Sequence, residues 1–347
     1  MSFSLPAMQP KKILVRSTNW IGDAIMTTPA VRTIRENFPD AHITILAYPW
    51  VADVFRASSH VDEIMIYDTA GVHKGFMGLW RLAAELKQQE FDCAILLQNA
   101  FKAAFLTWLA GIPIRAGYRR DGRSLLLKPG ITIRPEVRQL HQVHYYQYLL
   151  QDLGLECGAD ELFLEHTPED AQWAKAFKEE VGGKALLGIN PGAAFGPAKC
   201  WPAERYGELC ARLHEEFGIH AVVFGTKADA ATIATIVSHG PQFISGLAGK
   251  TTLGQAMALI AQCDAFVTND SGLMHVGAAV QTPLVAIFGS TDHIATGPYS
   301  PKAMVVKKEL ACQPCLKREC TTDFRCMINI EVEDVAAPLR EMLCLFA

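Results

Sequence analysis

The chain has 347 residues, half of them apolar, 20% charged and 9% aromatic, which suits two globular domains and excludes a disordered or low-complexity chain. Thirty-two Lys and Arg against 36 Asp and Glu leave a formal charge of −4. No global field therefore draws nucleic acid, and any anion must be held by a local site. The opening MSFSLPAMQPKK has no apolar leader-like run, and the ten cysteines are then expected as free thiols in the cytoplasm. The most membrane-like stretch, Cys93 to Ile114, is interrupted by Gln98, Asn99, Lys102, Gly111 and Pro113. It reads as a buried strand followed by an apolar-faced helix, not a bilayer span.

Short β-branched runs alternate with helix-period segments, the pattern of parallel βα units. Strands are expected at Lys12–Arg16, His42–Ala47, Val61–Tyr67 and Phe91–Leu97. Helices are expected at Ile21–Asn37, near Phe76–Gln88, after Leu97 and at His141–Leu153, with a basic loop at Arg115–Arg123. A stretch around Cys157–Thr167 reads as a linker, after which the alternation restarts. Helices are expected at Pro168–Val181, with Thr167 as N-cap, and at Pro202–Phe217, Ala230–Val237, Leu253–Ala261, Ser271–Val280 and Val332–Leu343. Strands fall at Ala185–Asn190, His220–Gly225, Phe243–Ser245, Ala265–Thr268 and Leu284–Phe288. Ligands of open parallel sheets bind beyond the carboxyl ends of the strands, so the chemistry is sought there.

Four segments follow strands in that position. In Arg16–Ala30 (RSTNWIGDAIMTTPA), Asp23 is either a first-turn acid favoured by the helix dipole or a general base. The segment lacks GxGxxG, which counts against a dehydrogenase. In Asn190–Pro202 (NPGAAFGPAKCWP), small residues and prolines allow close backbone approach, and Lys199 is either a solvated lysine or a phosphate contact. It is not a Walker loop. In Thr268–Ala279 (TNDSGLMHVGAA), Asp270 and Ser271 would cap a helix whose first amides, Ser271, Gly272 and Leu273, form an anion site. Asp229 in FGTKADAAT is placed to receive a ribose, or is a solvated first-turn acid.

Two further clusters are noted. Lys102, Arg115, Arg119, Arg120 and Arg123 are either a charged surface loop or the seat of an anionic acceptor. Cys312, Cys315, Cys320 and Cys326 form a C-x2-C-x4-C-x5-C run, whose opening suits structural zinc while the later spacings match no zinc ribbon.

Taken together, STNWIGDAIMTTPAVRTIRENFP, KCWPAERYGEL, NDSGLMHVGAA followed by PLVAIFGSTD, and CQPCLKREC resemble the ADP-heptose:lipopolysaccharide heptosyltransferases over nearly the whole chain. The resemblance implies an α/β GT-B fold: two facing Rossmann-like domains with a C-terminal helix crossing back to the first. Residues 1–160 would bind the acceptor, 161–330 the nucleotide sugar, and 331–347 would form that helix. It implies inverting transfer of L-glycero-D-manno-heptose from ADP-heptose to the first heptose of the lipopolysaccharide inner core. By motif, Asp23 is the base, Lys199 holds the diphosphate, and Asp270 lies near the heptose hydroxyls. Ser271, Gly272 and Leu273 would bind phosphate, and Asp229 is a looser match to a ribose-binding acid. Asn19, Lys102, Arg119, Arg120 and Arg123 are expected to meet a lipid-anchored, anionic acceptor, with peripheral contact to the inner membrane. No cofactor is required by this chemistry, and zinc at the four cysteines would be structural. A heptosyltransferase for another core position and a non-catalytic two-domain sugar-binding protein are the alternatives.

Overall fold

In the computed structural model, residues 3–182 and 185–344 are described. The chain divides into two compact units, Met1–Glu165 and His166–Ala347. The first holds six strands: β1 (Lys12–Arg16), β2 (His42–Ala47), β3 (Glu63–Ile66), β4 (Cys93–Leu96), β5 (Ile114–Tyr118) and β6 (Gly130–Ile131). They form one parallel sheet in the order β3-β2-β1-β4-β5-β6. The central strands are nearly continuous apolar runs because helices cover both faces of such a sheet.

The helix expected over Ile21–Asn37 is two helices, Ile21–Met26 and Thr28–Asn37. Pro29 explains the break: it has no N–H, and its ring would meet the carbonyl of Ile25 in a continuous helix. That carbonyl accepts instead from the Thr28 hydroxyl at 2.8 Å, and Ala24 O accepts from the Thr27 hydroxyl at 2.6 Å. The Arg115–Arg123 loop is also corrected, since Ile114–Tyr118 is β5. Its sequence, IRAGY, carries a charge and a glycine, and parallel pairing with β4 rather than strand propensity makes it a strand.

The second unit repeats the plan with β7 (Leu186–Asn190), β8 (His220–Val223), β9 (Ile244–Gly246), β10 (Ala265–Asn269), β11 (Leu284–Ile287) and β12 (Ala303–Val306). Their order is β12-β11-β10-β7-β8-β9, again all parallel. Thr167 caps helix Pro168–Val181 as expected, its hydroxyl accepting from the Asp170 amide at 3.2 Å. The helix opened by the KCWP stretch runs Ala203–Phe217 and buries Tyr206, Leu209, Cys210 and Leu213.

The terminal helix, Val332–Cys344, is placed differently from the expectation that it packs on the first unit. Its apolar stripe of Val332, Val335, Ala336, Leu339 and Leu343 enters the core of the second unit with Leu209, Leu213, Val285 and Ile287. The entry to it is pinned by the buried indole of Trp201, which donates to Ile330 O at 2.8 Å. Residues 345–347 of the expected terminal segment lie outside the described residues.

Candidate active site

In each sheet the strand order reverses between two central strands, β1 and β4 in the first unit and β7 and β10 in the second. Connections leave such a point in opposite directions and open a crevice at the carboxyl ends. In the second unit polar side chains gather there. The Asn190 side-chain amide, at the end of β7, donates to Thr268 Oγ1 at 2.9 Å and to Ser271 Oγ at 2.6 Å, tying β7 to β10 and to the start of helix Gly272–Ala279. Ser271 is the extended N-cap residue of that helix and makes no side-chain cap bond. The amides of the first turn, which lack intrahelical acceptors, are left with the positive end of the helix dipole.

Asp270 was expected to help cap this helix, and its carboxylate goes elsewhere. Lys199 Nζ lies 2.6 Å from Asp270 Oδ2, the carboxylate almost fully buried and the lysine partly so. The Thr291 hydroxyl donates to the same oxygen at 2.5 Å. Lys199 Nζ also sits 4.8 Å over the Phe195 ring. The ammonium is thus held at one point by a carboxylate and an aromatic face. Asn269, next in chain to Asp270, is locked from three sides: Oδ1 accepts from Trp201 N (3.1 Å) and Tyr206 OH (2.9 Å), and Nδ2 donates to Pro191 O (2.6 Å). Asp229 completes a capping box with Thr226, whose amide and hydroxyl each donate to Oδ2 at 2.8 Å. A Cβ on Gly192 would come 3.0 Å from Asp229 Oδ1, so this acid lies against the glycine-bearing loop after β7.

In the first unit, Asp23 stands partly exposed in the first turn of helix Ile21–Met26, just after β1. It faces Tyr146, whose hydroxyl is pushed well above its ordinary pKa by burial and then by the Asp23 charge. Asn19 Oδ1 accepts from Gln98 Nε2 at 2.7 Å, and Asn19 O accepts from the Trp50 indole at 2.9 Å. Lys102, Arg119 and Arg120 are exposed, with Lys102 Nζ 4.9 Å over the Tyr67 ring.

A family model for glycosyltransferase family 9 (heptosyltransferase) matches residues 79–324. Over 312 residues the chain is 34% identical to lipopolysaccharide heptosyltransferase 2 of Salmonella typhimurium, covering 85% of this chain and 88% of the relative. Its fold matches the structure of E. coli ADP-heptose lps heptosyltransferase II with a TM-score of 0.81 and 31% identity, covering 96% of this chain and 99% of that one. A glycosyltransferase family 9 structure from Veillonella parvula matches with a TM-score of 0.86 and 26% identity, covering 96% and 98%. The chain belongs to glycosyltransferase family 9.

As a family 9 glycosyltransferase it has the expected α/β GT-B class, with two Rossmann-like parallel sheets. Several residues of the crevices escaped the sequence reading. Thr291 lies in the GSTD stretch after β11, where its position past a strand end was the available signal. Asn190 had the same signal. Arg16 ends the apolar strand β1 and is fully buried, donating to Ser17 O (2.6 Å) and Leu46 O (3.0 Å) beneath the Tyr48 ring at 4.7 Å. A charge at the end of an apolar strand was a signal not used.

Arg123, expected on the acceptor side, is corrected. It is completely buried, and its guanidinium donates to Tyr118 O (2.9 Å), Asn99 Oδ1 (2.9 Å) and Gln98 O. Burial lowers its pKa to about 10, so it stays protonated at neutral pH. Its work is to hold the loops after β4 and β5. Arg123→Ala would strand one buried and two part-buried acceptors and is expected to destabilise the first unit by about 2–4 kcal/mol, read as a lowered urea midpoint.

The four cysteines are corrected as a ligand set. Among the described residues, no group of three or more His, Cys, Asp or Glu is gathered as a metal would require. Cys312, Cys315, Cys320 and Cys326 line one small cavity as free thiols. Cys326 turns into the core with Met327 and Ile330, while Cys320 Sγ accepts from the Phe324 amide at 3.3 Å within its own turn. Hydrogen bonds from Thr322 and Phe324 hold the Cys320 thiol below its ordinary pKa. The loop acts as a brace. Leu316 N donates to Ser290 O (2.8 Å), Ala198 N to Arg318 O (3.1 Å), and Arg318 Nε to Phe195 O (2.7 Å). It thereby clasps the two loops that carry Thr291 and Lys199.

Proposed function

We propose that this glycosyltransferase moves L-glycero-D-manno-heptose from ADP-heptose onto the first heptose of the lipopolysaccharide inner core, with inversion at the transferred carbon. The observation that carries the reading is the part-buried Lys199–Asp270 pair beside the start of helix Gly272–Ala279, whose N-cap residue makes no side-chain cap bond. A cation and unbonded helix amides at one crevice suit the diphosphate of a nucleotide sugar. The names of the relatives give the sugar and the acceptor class.

In this reading the second unit holds the donor. Lys199 and the amides of Ser271, Gly272 and Leu273 take the negative charge that grows on ADP as the bond to C1 breaks. Asp270 accepts from heptose hydroxyls while keeping Lys199 in place, and Asp229, already against the loop after β7, receives the ribose. The first unit supplies the base. Asp23 removes the proton from the acceptor hydroxyl, whose oxygen attacks C1 from the face opposite ADP. Asn19, Lys102, Arg119 and Arg120 meet the anionic core of a lipid A–Kdo–heptose acceptor at the cytoplasmic face of the membrane. Nucleic acid has no place in this scheme.

The deciding experiment is mass spectrometry of the product from purified protein, ADP-heptose and a core truncated after its first heptose. A gain of one heptose with ADP release is expected. Transfer only onto a core ending in Kdo, or only onto a more extended core, would move the activity to another position. Tight sugar binding with no turnover would overturn the transferase reading.

A further inference from the structure

Large apolar side chains crowd one outer face of the first unit. Phe76 is 65% exposed, Met77 80%, Trp80 46%, Phe101 49%, Trp108 50% and Leu125 97%. They project from helices Gly75–Gln88 and Phe101–Leu109, which pack side by side, and from the turn Ser124–Leu126, which packs on the second of them. Phe76 meets Trp80 edge-on with centroids 5.9 Å apart, and Phe105 stacks between Phe101 and Trp108 at 6.0 and 5.8 Å. The opposite faces of these helices are already spent on the core, through Leu79, Leu82 and Leu86 on one and Ala104 and Leu106 on the other. Both helices are therefore apolar on two sides, which folding of this unit does not require.

The segment that carries this face is more basic than the whole chain, even though its Arg123 is buried. Residues 72–128 contain nine Lys and Arg against four Asp and Glu, a formal +5 within a chain of −4. Lys74, Arg81, Lys102 and Arg120 are exposed. Of the acids, Glu85 is paired with His73 at 3.0 Å, Asp92 accepts from the amides of Lys11 and Lys12, and Glu90 and Asp121 are exposed. Aromatic rings edged by cations match the boundary of an anionic bilayer, where rings sit at headgroup depth and cations meet lipid phosphates. Among the described residues no helix is long and apolar enough to cross a membrane, so contact at this face would be interfacial.

We propose that the face formed by Phe76, Met77, Trp80, Phe101, Trp108 and Leu125 docks the protein on the surface of an anionic phospholipid bilayer. The inference deepens the proposed function, because a lipid-anchored acceptor is presented at such a surface. Its test does not depend on that function. The full chain is mixed with vesicles of phosphatidylglycerol and phosphatidylcholine, or of phosphatidylcholine alone, and sedimented while tryptophan emission is followed.

The expected result is co-sedimentation and a blue shift with the anionic vesicles only, weakened by salt. The triple variant Phe76→Ser, Met77→Ser, Trp80→Ser is expected to bind at least about tenfold more weakly. Lys74→Glu with Arg81→Glu is expected to lose a similar factor on anionic vesicles. Since these side chains are exposed, the variants should melt with the wild type and turn over an acyl-free acceptor at its rate. Wild type left in the supernatant, or variants that bind as it does, would overturn the proposal. So would a stable dimer, seen by sedimentation velocity, that the triple variant dissociates without any vesicle binding. Vesicle binding without heptose transfer would instead leave the face standing and remove the proposed substrate.

Discussion

Asp23→Asn is expected to lower heptose transfer by about 100- to 10,000-fold, the range that a positioned general base supplies. The substitution keeps the size of the side chain and removes its ability to take a proton. Asp23 lies in the first turn after β1, partly exposed, and ADP is assigned to residues of the second unit. ADP affinity, measured by calorimetry, should therefore stay within about twofold of wild type. The fall should appear in kcat, because the proton is shared only in the transition state. Tyr146 offers an independent check. The Asp23 charge helps to raise its pKa, so the hydroxyl should titrate lower in the variant, although burial, the larger cause, still holds it high. A variant that keeps most of its turnover would remove Asp23 as the base.

Lys199→Ala is expected to cut kcat/KM for the donor by about 100- to 1,000-fold, with KM raised and kcat lowered together. The lysine would contact the diphosphate in the bound donor and more strongly as ADP departs, so both parameters should move. The loss has a second component. Removing the ammonium leaves the Asp270 carboxylate almost fully buried with the Thr291 hydroxyl still on it, and a buried carboxylate without its cation is costly. A double-mutant cycle with Asp270→Asn separates the two. If the pair acts as a unit, the combined variant should be better than the sum of the single losses by about 0.5–3 kcal/mol. Lys199→Arg should recover only part of the rate, because its planar fork does not fit a site shaped around one point charge over Phe195. Donor kinetics unchanged in Lys199→Ala would end the phosphate assignment.

The sequence by itself determined the repeating βα plan, because apolar runs buried on both faces and helix-period segments are local patterns that survive without knowledge of the fold. Helix Leu253–Ala261 and the Thr167 cap were legible for that reason. Asp23, Lys199 and Asp270 were legible as candidates only, since each lies in a segment that follows a readable strand.

Only the tertiary structure decided what depends on partners distant in the chain. Strand β5 exists because β4 offers it a ladder, and IRAGY carries no strand pattern of its own. Asp270 became the counter-ion of Lys199, 71 residues away, where local reading made it a helix cap. Arg123 sat in a basic run indistinguishable from its neighbours Arg119 and Arg120, yet it alone of the three was drawn inside by carbonyls of Tyr118 and Gln98. The four cysteines looked like one ligand set by spacing, and they do line one small cavity, but with Cys326 turned toward the core no three of them, among the described residues, are gathered as a metal would require. The terminal helix went to the second unit because Trp201 and the apolar face of helix Ala203–Phe217 gave its stripe a place to be buried. Periodicity tells a chain which side of a helix must leave water; where that side goes is fixed by the shape and area of the surfaces that compete for it.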